Sequence, residues 1–172
     1  MATQALHQLL TETTWKDLDY LVVDLPPGTG DIQLSLSQRI PLSGAVIVTT
    51  PQDVALLDAR KALQMFRKVN VPVLGVVENM STHVCTKCGH EEATFGVGGG
   101  AKMATEYGIE LLGQLPLSLK IREQADAGTP TVVAEPNSDI ALRYRDIARK
   151  VAARLAKPAP TAAFPTISIT DD

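Results

Sequence analysis

Leu18-Asp19-Tyr20-Leu21-Val22-Val23-Asp24, running straight into Leu25-Pro26-Pro27-Gly28-Thr29-Gly30, is the stretch on which the fold turns. A short apolar run that ends in a carboxylate and breaks into a Pro- and Gly-rich loop reads as a buried strand delivering its last residue to the edge of a sheet. Working outward, residues 45–50 (AVIVTT) form the next strand, stopped by Pro51, and residues 73–77 and 110–115 form two more. Helices fill the intervals: one from Asp31, one over 54–69 with Asp53 at its N-cap, then 101–107, 118–127 and 140–155, the last with Arg and Lys near its C-terminal end. Strands alternating with helices predict an α/β fold with a mainly parallel sheet and helices on both faces, whose ligands sit beyond the carboxyl ends of the strands. Asp24, Thr50 and Asn79 all fall there.

The composition agrees with one such domain. At 172 residues the chain is long enough to bury about 70% of its unfolded surface. It is 45% hydrophobic but only 4% aromatic, so Val, Leu, Ile and Ala must build the core, as in parallel sheets covered on both sides. The net charge of -3 provides no basic field and argues against a nucleic acid partner. No apolar run reaches the ~20 residues a bilayer span needs, and residues 1–10 lack the pattern of a secretory signal, so a cytoplasmic protein with no membrane partner is expected.

The excursion at residues 81–100 breaks the layered pattern. It is polar and holds both cysteines of the chain, in Cys85-Thr86-Lys87-Cys88, together with His83, His90 and Gly98-Gly99-Gly100. In a reducing compartment a close CxxC is a metal or redox element rather than a structural disulfide, and two thiols are half of a tetrahedral centre. Three completions stand open: a second copy supplies two more thiolates, His83 or His90 completes a zinc site within one chain, or the pair is a dithiol-disulfide centre. The glycines read as a return into the next helix, Trp15 as an anchor of the first helix against the sheet, His7 as solvated, and Lys61, Arg67, Lys68, Glu123 and Asp126 as solvated helix faces.

Six segments taken in order carry a resemblance: LDYLVVDLPPGTGD at 18–31, VTTPQDVALLDA at 48–59, VLGVVENM at 73–80, VCTKCGH at 84–90, FGVGGGAKMA at 95–104 and IREQADAG at 121–128. Together they resemble the Mrp/ApbC family of iron-sulfur cluster carriers, deviant-Walker P-loop NTPases related to MinD, over nearly everything from Leu18 to Leu155. The resemblance implies that Asp24 is the Walker B acid that positions Mg2+, that residues 26–31 are the switch after it, and that Asn79 and Pro116 border the base of ATP. It implies that Cys85 and Cys88 of two subunits bridge a [4Fe-4S] cluster, with Zn2+ as a possible substitute, in a homodimer that serves iron-sulfur apoproteins.

One part of that pattern is missing. The family's Gly-rich Walker A loop with its two lysines has no counterpart here, and phosphate binding needs such a run of backbone N–H groups with a lysine. Residues 1–157 therefore read as a P-loop NTPase-like domain truncated at its N-terminus, with residues 158–172 as a flexible tail, and ATP hydrolysis by these residues alone is not expected. The strand leading into the absent loop lies beside the Asp24 strand in the family, so an open apolar edge and association through it are expected. A non-catalytic zinc-binding or interaction module and a MinD/ParA-like partitioning ATPase are the alternatives.

Overall fold

The computed structural model describes residues 2–25, 33–34, 37, 40, 42–85 and 87–156. In chain order its elements are α1 (Ala2–Thr11), β1 (Ala45–Thr49), α2 (Asp53–Lys68), β2 (Val73–Glu78), β3 (His83–Val84), β4 (Glu91–Glu92), α3 (Gly99–Tyr107), β5 (Leu111–Gln114), α4 (Leu119–Asp126), α5 (Thr131–Ala134) and α6 (Asp139–Leu155). β1, β2 and β5 form a parallel sheet in the order β1-β2-β5, with Ile47 beside Val76 and Val76 beside Leu111.

Successive strand residues point to opposite faces, and each face has its own core. On one, Ile47 and Val76 pack with Leu56, Leu63 and Phe66 of α2 and Met103 of α3. On the other, Val77, Leu112 and Leu115 receive Tyr144, Ile147 and Val151 of α6. The expected layered α/β architecture is present, because helical periodicity in α2 and α6 places one apolar stripe on a sheet buried from both sides. Burial also raises the Tyr144 phenol above its ordinary range.

The helix ends refine the expectations. Gln52, rather than Asp53, is the N-cap of α2, and Asp53 becomes its first residue, where a carboxylate still complements the helix dipole. α6 is capped by Ser138, whose Oγ accepts the Ala141 N–H at 3.3 Å, and Arg154 sits in its last turn. Along α6, Lys150 Nζ donates to the Leu112 carbonyl at 2.9 Å and Arg143 to the Gln114 carbonyl at 3.3 Å, so basic side chains cover the β5 side of the sheet.

The first strand expectation fails. Residues 12–25 contain neither helix nor strand, and Val22 is 90% exposed. A strand is stabilised by ladder bonds to a neighbour, and among the described residues no strand runs alongside Leu18–Asp24. Only Leu25 reaches the core formed by α2 and α3. Trp15 does not anchor a helix to the sheet either: it is 45% exposed and its indole N–H donates to the Leu10 carbonyl at the end of α1. The switch at 26–31, the start of the helix at Asp31 and the tail at 158–172 lie outside the described residues. No helix among the described residues is long and apolar enough to cross a membrane.

Candidate metal centre and nucleotide-facing edge

The cysteines sit on a small hairpin built from the chain itself. β3 and β4 pair antiparallel, His83 opposite Glu92 and Val84 opposite Glu91. Between them the Cys85 N–H donates to the His90 carbonyl at 2.9 Å and the Gly89 N–H returns to the Cys85 carbonyl at 2.8 Å. Gly89 takes a φ of 70°, a left-handed turn that glycine adopts without a Cβ clash. The knuckle aims backbone at sulfur: hydrogen bonds from the Lys87 N–H, then the Cys88 N–H, then the Cys88 thiol lower the Cys85 thiol below its ordinary value. Cys85 is half-buried, Cys88 exposed, and both are free thiols.

The stem of the hairpin is sewn to the chain leaving β5. Ser81 sends both its N–H (2.9 Å) and its hydroxyl (3.1 Å) to the Leu115 carbonyl, and the Leu117 N–H donates to the Thr82 carbonyl at 2.8 Å. His83 Nδ1 lies 3.2 Å from the Leu117 carbonyl, which fixes the ring against this stem. Among the described residues no three of His, Cys, Asp and Glu are arranged to hold a metal ion. The fold thus brings the two cysteines together without drawing His83 and His90 in to complete a centre.

Asn79 and Pro116 arrive at the same end of the sheet. Asn79 follows β2, gives its N–H to the Thr49 carbonyl at 2.7 Å and accepts the Met80 N–H on Oδ1 at 2.9 Å, a side-chain turn that supports Met80 at a φ of 55°. Pro116 is half-buried between Leu115, in the core of the α6 face, and Leu117, on the hairpin stem. Asp24 is exposed in the strandless segment, so no sheet ladder places its carboxyl among these groups.

Sequence reasoning missed Glu78, Gln114 and the packing role of the glycines. Glu78 is buried at the end of β2 and accepts the Gly100 N–H at 2.6 Å and the Gln114 amide at 2.6 Å. A Cβ on Gly99 would fall 2.5 Å from the Pro51 carbonyl oxygen. These glycines therefore do more than return the loop: they let α3 press its first turn onto the ends of β1 and β2. The charged residue closing the otherwise apolar VLGVVE was the available signal.

Parallel strands sandwiched by helices, with polar loops gathered at their carboxyl ends, place the chain in the class of layered α/β proteins that bind ligands at that edge. A sequence profile of the ParA type, described as NUBPL iron-transfer P-loop NTPase, matches residues 1–152, and the chain belongs to that family. An iron-sulfur cluster carrier protein of Pseudomonas fragi is 66% identical over 148 residues, 86% of this chain and 52% of that protein. The iron-sulfur cluster transfer protein NUBPL of Mus musculus is 56% identical over 155 residues, 90% of this chain and 49% of that one. The chain spans about half the length of the curated relatives it matches. Among solved structures, a nucleotide-binding protein from Archaeoglobus fulgidus in complex with ADP superposes with a TM-score of 0.68 at 36% identity, covering 80% of this chain and 55% of that one. The cell division ATPase MinD of Pyrococcus furiosus shares the fold, with a TM-score of 0.62 at 22% identity over 88% of this chain and 56% of that one.

Proposed function

We propose that this chain is the cluster-holding part of an iron-sulfur cluster carrier. Its cargo is a [4Fe-4S] cluster, held between two copies of the chain by Cys85 and Cys88 of each and delivered to apoproteins. The observation that carries this reading is the knuckle: backbone N–H groups of Lys87 and Cys88 favour the thiolate at Cys85, the form in which cysteine binds metal. Two thiols per chain become four about a twofold axis, the ligand number such a cluster takes. Soft thiolates also accept Zn2+, which makes zinc the expected substitute.

ATP dependence belongs to the longer protein. There Asp24 positions Mg2+ while Asn79 and Pro116 border the base, a reading supported for the last two by their place at the carboxyl ends of β2 and β5. The test is anaerobic reconstitution with iron and sulfide, counting both against protein. Wild type is expected to take one four-iron cluster per two chains, and Cys85→Ala and Cys88→Ala to take none. Equal uptake by both variants refutes the reading, and one zinc per chain without sulfide assigns the pair to a metal-binding module instead.

A further inference from the structure

Glu78 is the one charged side chain among the buried described residues, 1% exposed in the last position of β2. Both of its carboxyl oxygens are occupied, Oε2 by the N–H of Gly100, in the first turn of α3, and Oε1 by the amide of Gln114, the last residue of β5. One side chain therefore ties two strand ends to a helix start. Burying an acid this completely carries a desolvation cost that a leucine of similar size would avoid. What the carboxyl supplies and leucine cannot is an acceptor for two donors from different elements.

The position of that junction gives it a consequence. The chain between Glu78 and Gly100 is the whole cysteine excursion, so the Glu78–Gly100 bond closes it at its base. Its outgoing stem is fastened at the same height, where Ser81 bonds the Leu115 carbonyl next to Gln114. The fit is close: a Cβ on Gly100 would stand 2.9 Å from the Glu78 Cβ.

We propose that Glu78 is a positioning residue, a latch that holds the base of the cysteine hairpin to the carboxyl end of the sheet and so fixes the Cys85–Cys88 pair relative to Asn79 and Pro116. Its meaning for cargo rests on the carrier reading above; the latch itself does not. It predicts that loosening one buried side chain frees the hairpin while the α6 side of the sheet stays intact.

The test compares E78L, E78Q and the swap E78Q/Q114E by peptide-resolved hydrogen exchange and by cobalt(II) titration followed through thiolate-to-cobalt absorption. Loss of the latch in E78L is expected to speed exchange over residues 81–107 about tenfold, leaving 139–155 unchanged, and to weaken cobalt uptake by about the same factor. In the swap, the side-chain amide at position 78 offers its oxygen to the Gly100 N–H and its own N–H to the carboxylate at position 114, so both bonds return and exchange is expected within about threefold of wild type. If E78L does not fold, E78Q carries the comparison, since it keeps the volume and loses the charge-assisted bond.

Exchange that is unchanged in 81–107, or raised equally in 139–155, overturns the latch, as does a swap that fails to rescue. Cobalt uptake unaltered in a variant whose hairpin exchanges faster also overturns it, because the pair is then not positioned by Glu78. A wild-type chain that binds cobalt through its cysteines but no iron-sulfur cluster refutes the carrier reading alone. Full cluster uptake in every variant with a flat exchange profile refutes the latch alone.

Discussion

Replacing Gly99 by alanine sets a known gain against a geometric cost. Alanine is the better helix former by about 1 kcal/mol in a helix interior, so on propensity alone Gly99→Ala at the start of α3 stabilises the chain. The structure predicts the opposite. The added Cβ would stand 2.5 Å from the Pro51 carbonyl oxygen, 2.9 Å from the Pro51 Cα and 2.8 Å from Leu56 Cδ1. Even a weak C–H···O contact keeps carbon and oxygen about 3.3–3.6 Å apart, so a gap of nearly 1 Å must be opened. A side chain could turn aside, but two of the three obstacles are backbone, at the exit of β1 where Pro51 is buried. Overpacking of this kind costs about 1–3 kcal/mol, and the rigid partner places this site in the upper part of that range. The net expectation is a loss of about 1–2 kcal/mol. Urea unfolding should show a lower midpoint at unchanged slope, and thermal unfolding a drop of about 2–8 °C for a domain of this size. Lys102→Ala, exposed in the same helix, is the control and should stay within about 0.5 kcal/mol of wild type. A Gly99→Ala chain as stable as wild type, or more so, refutes the claim that α3 is pressed against the end of β1.

Alkylation of Cys85 followed against pH should show a midpoint below that of an unstructured cysteine peptide, rising to the peptide value in urea, because the Lys87 and Cys88 N–H groups hold the thiolate only in the folded knuckle. With the folded value below the unfolded one, these bonds add stability above the unfolded value, and the contribution is lost as pH falls through the folded value. On the opposite edge of the sheet, Val48 of β1 is 61% exposed and no strand pairs beyond β1 among the described residues, so the chain is expected to self-associate in sedimentation at micromolar concentration and Val48→Lys to reduce that association. A monodisperse wild-type monomer would count against an open β1 edge.

What could be read from the residues alone divides along a physical line. α2, α3, α6 and the strands β1, β2 and β5 lie within a residue or two of their expected places, because periodicity and breakers such as Pro51 are local signals that local structure obeys. Leu18–Asp24 has the composition of a strand, yet a strand is a relation between segments, and among the described residues no strand lies alongside it. Trp15 failed for a similar reason: a large aromatic predicts burial only if something is there to bury it. Glu78 was legible in principle, since an acid completing a run that alternates into two cores has nowhere to go but inward. The resemblance assigns a role to Asn79, one residue further on, and none to the acid beside it.

The contrast between the two ends of that motif bears on how function is divided in the chain. Among the described residues, the hydrogen bonds that fasten the stem and base of the cysteine hairpin run from Glu78 to Gly100, from Ser81 to Leu115, and from Thr82 and His83 to Leu117, while Asn79 at its root is bonded to Thr49 of β1. The stem is thus bonded to the chain leaving β5, the strand whose carbonyls α6 covers, whereas β1 has no further strand beyond it among the described residues. Under the carrier reading, cluster holding rests on the hairpin and its stem, and nucleotide control on groups at the carboxyl ends of the strands. Among the described residues, the carboxyl ends of β1, β2 and β5 are then where a change at a nucleotide would be felt by the cysteines. Glu78 stands at that place, joined to Gly100 on the hairpin's return and one residue from Asn79.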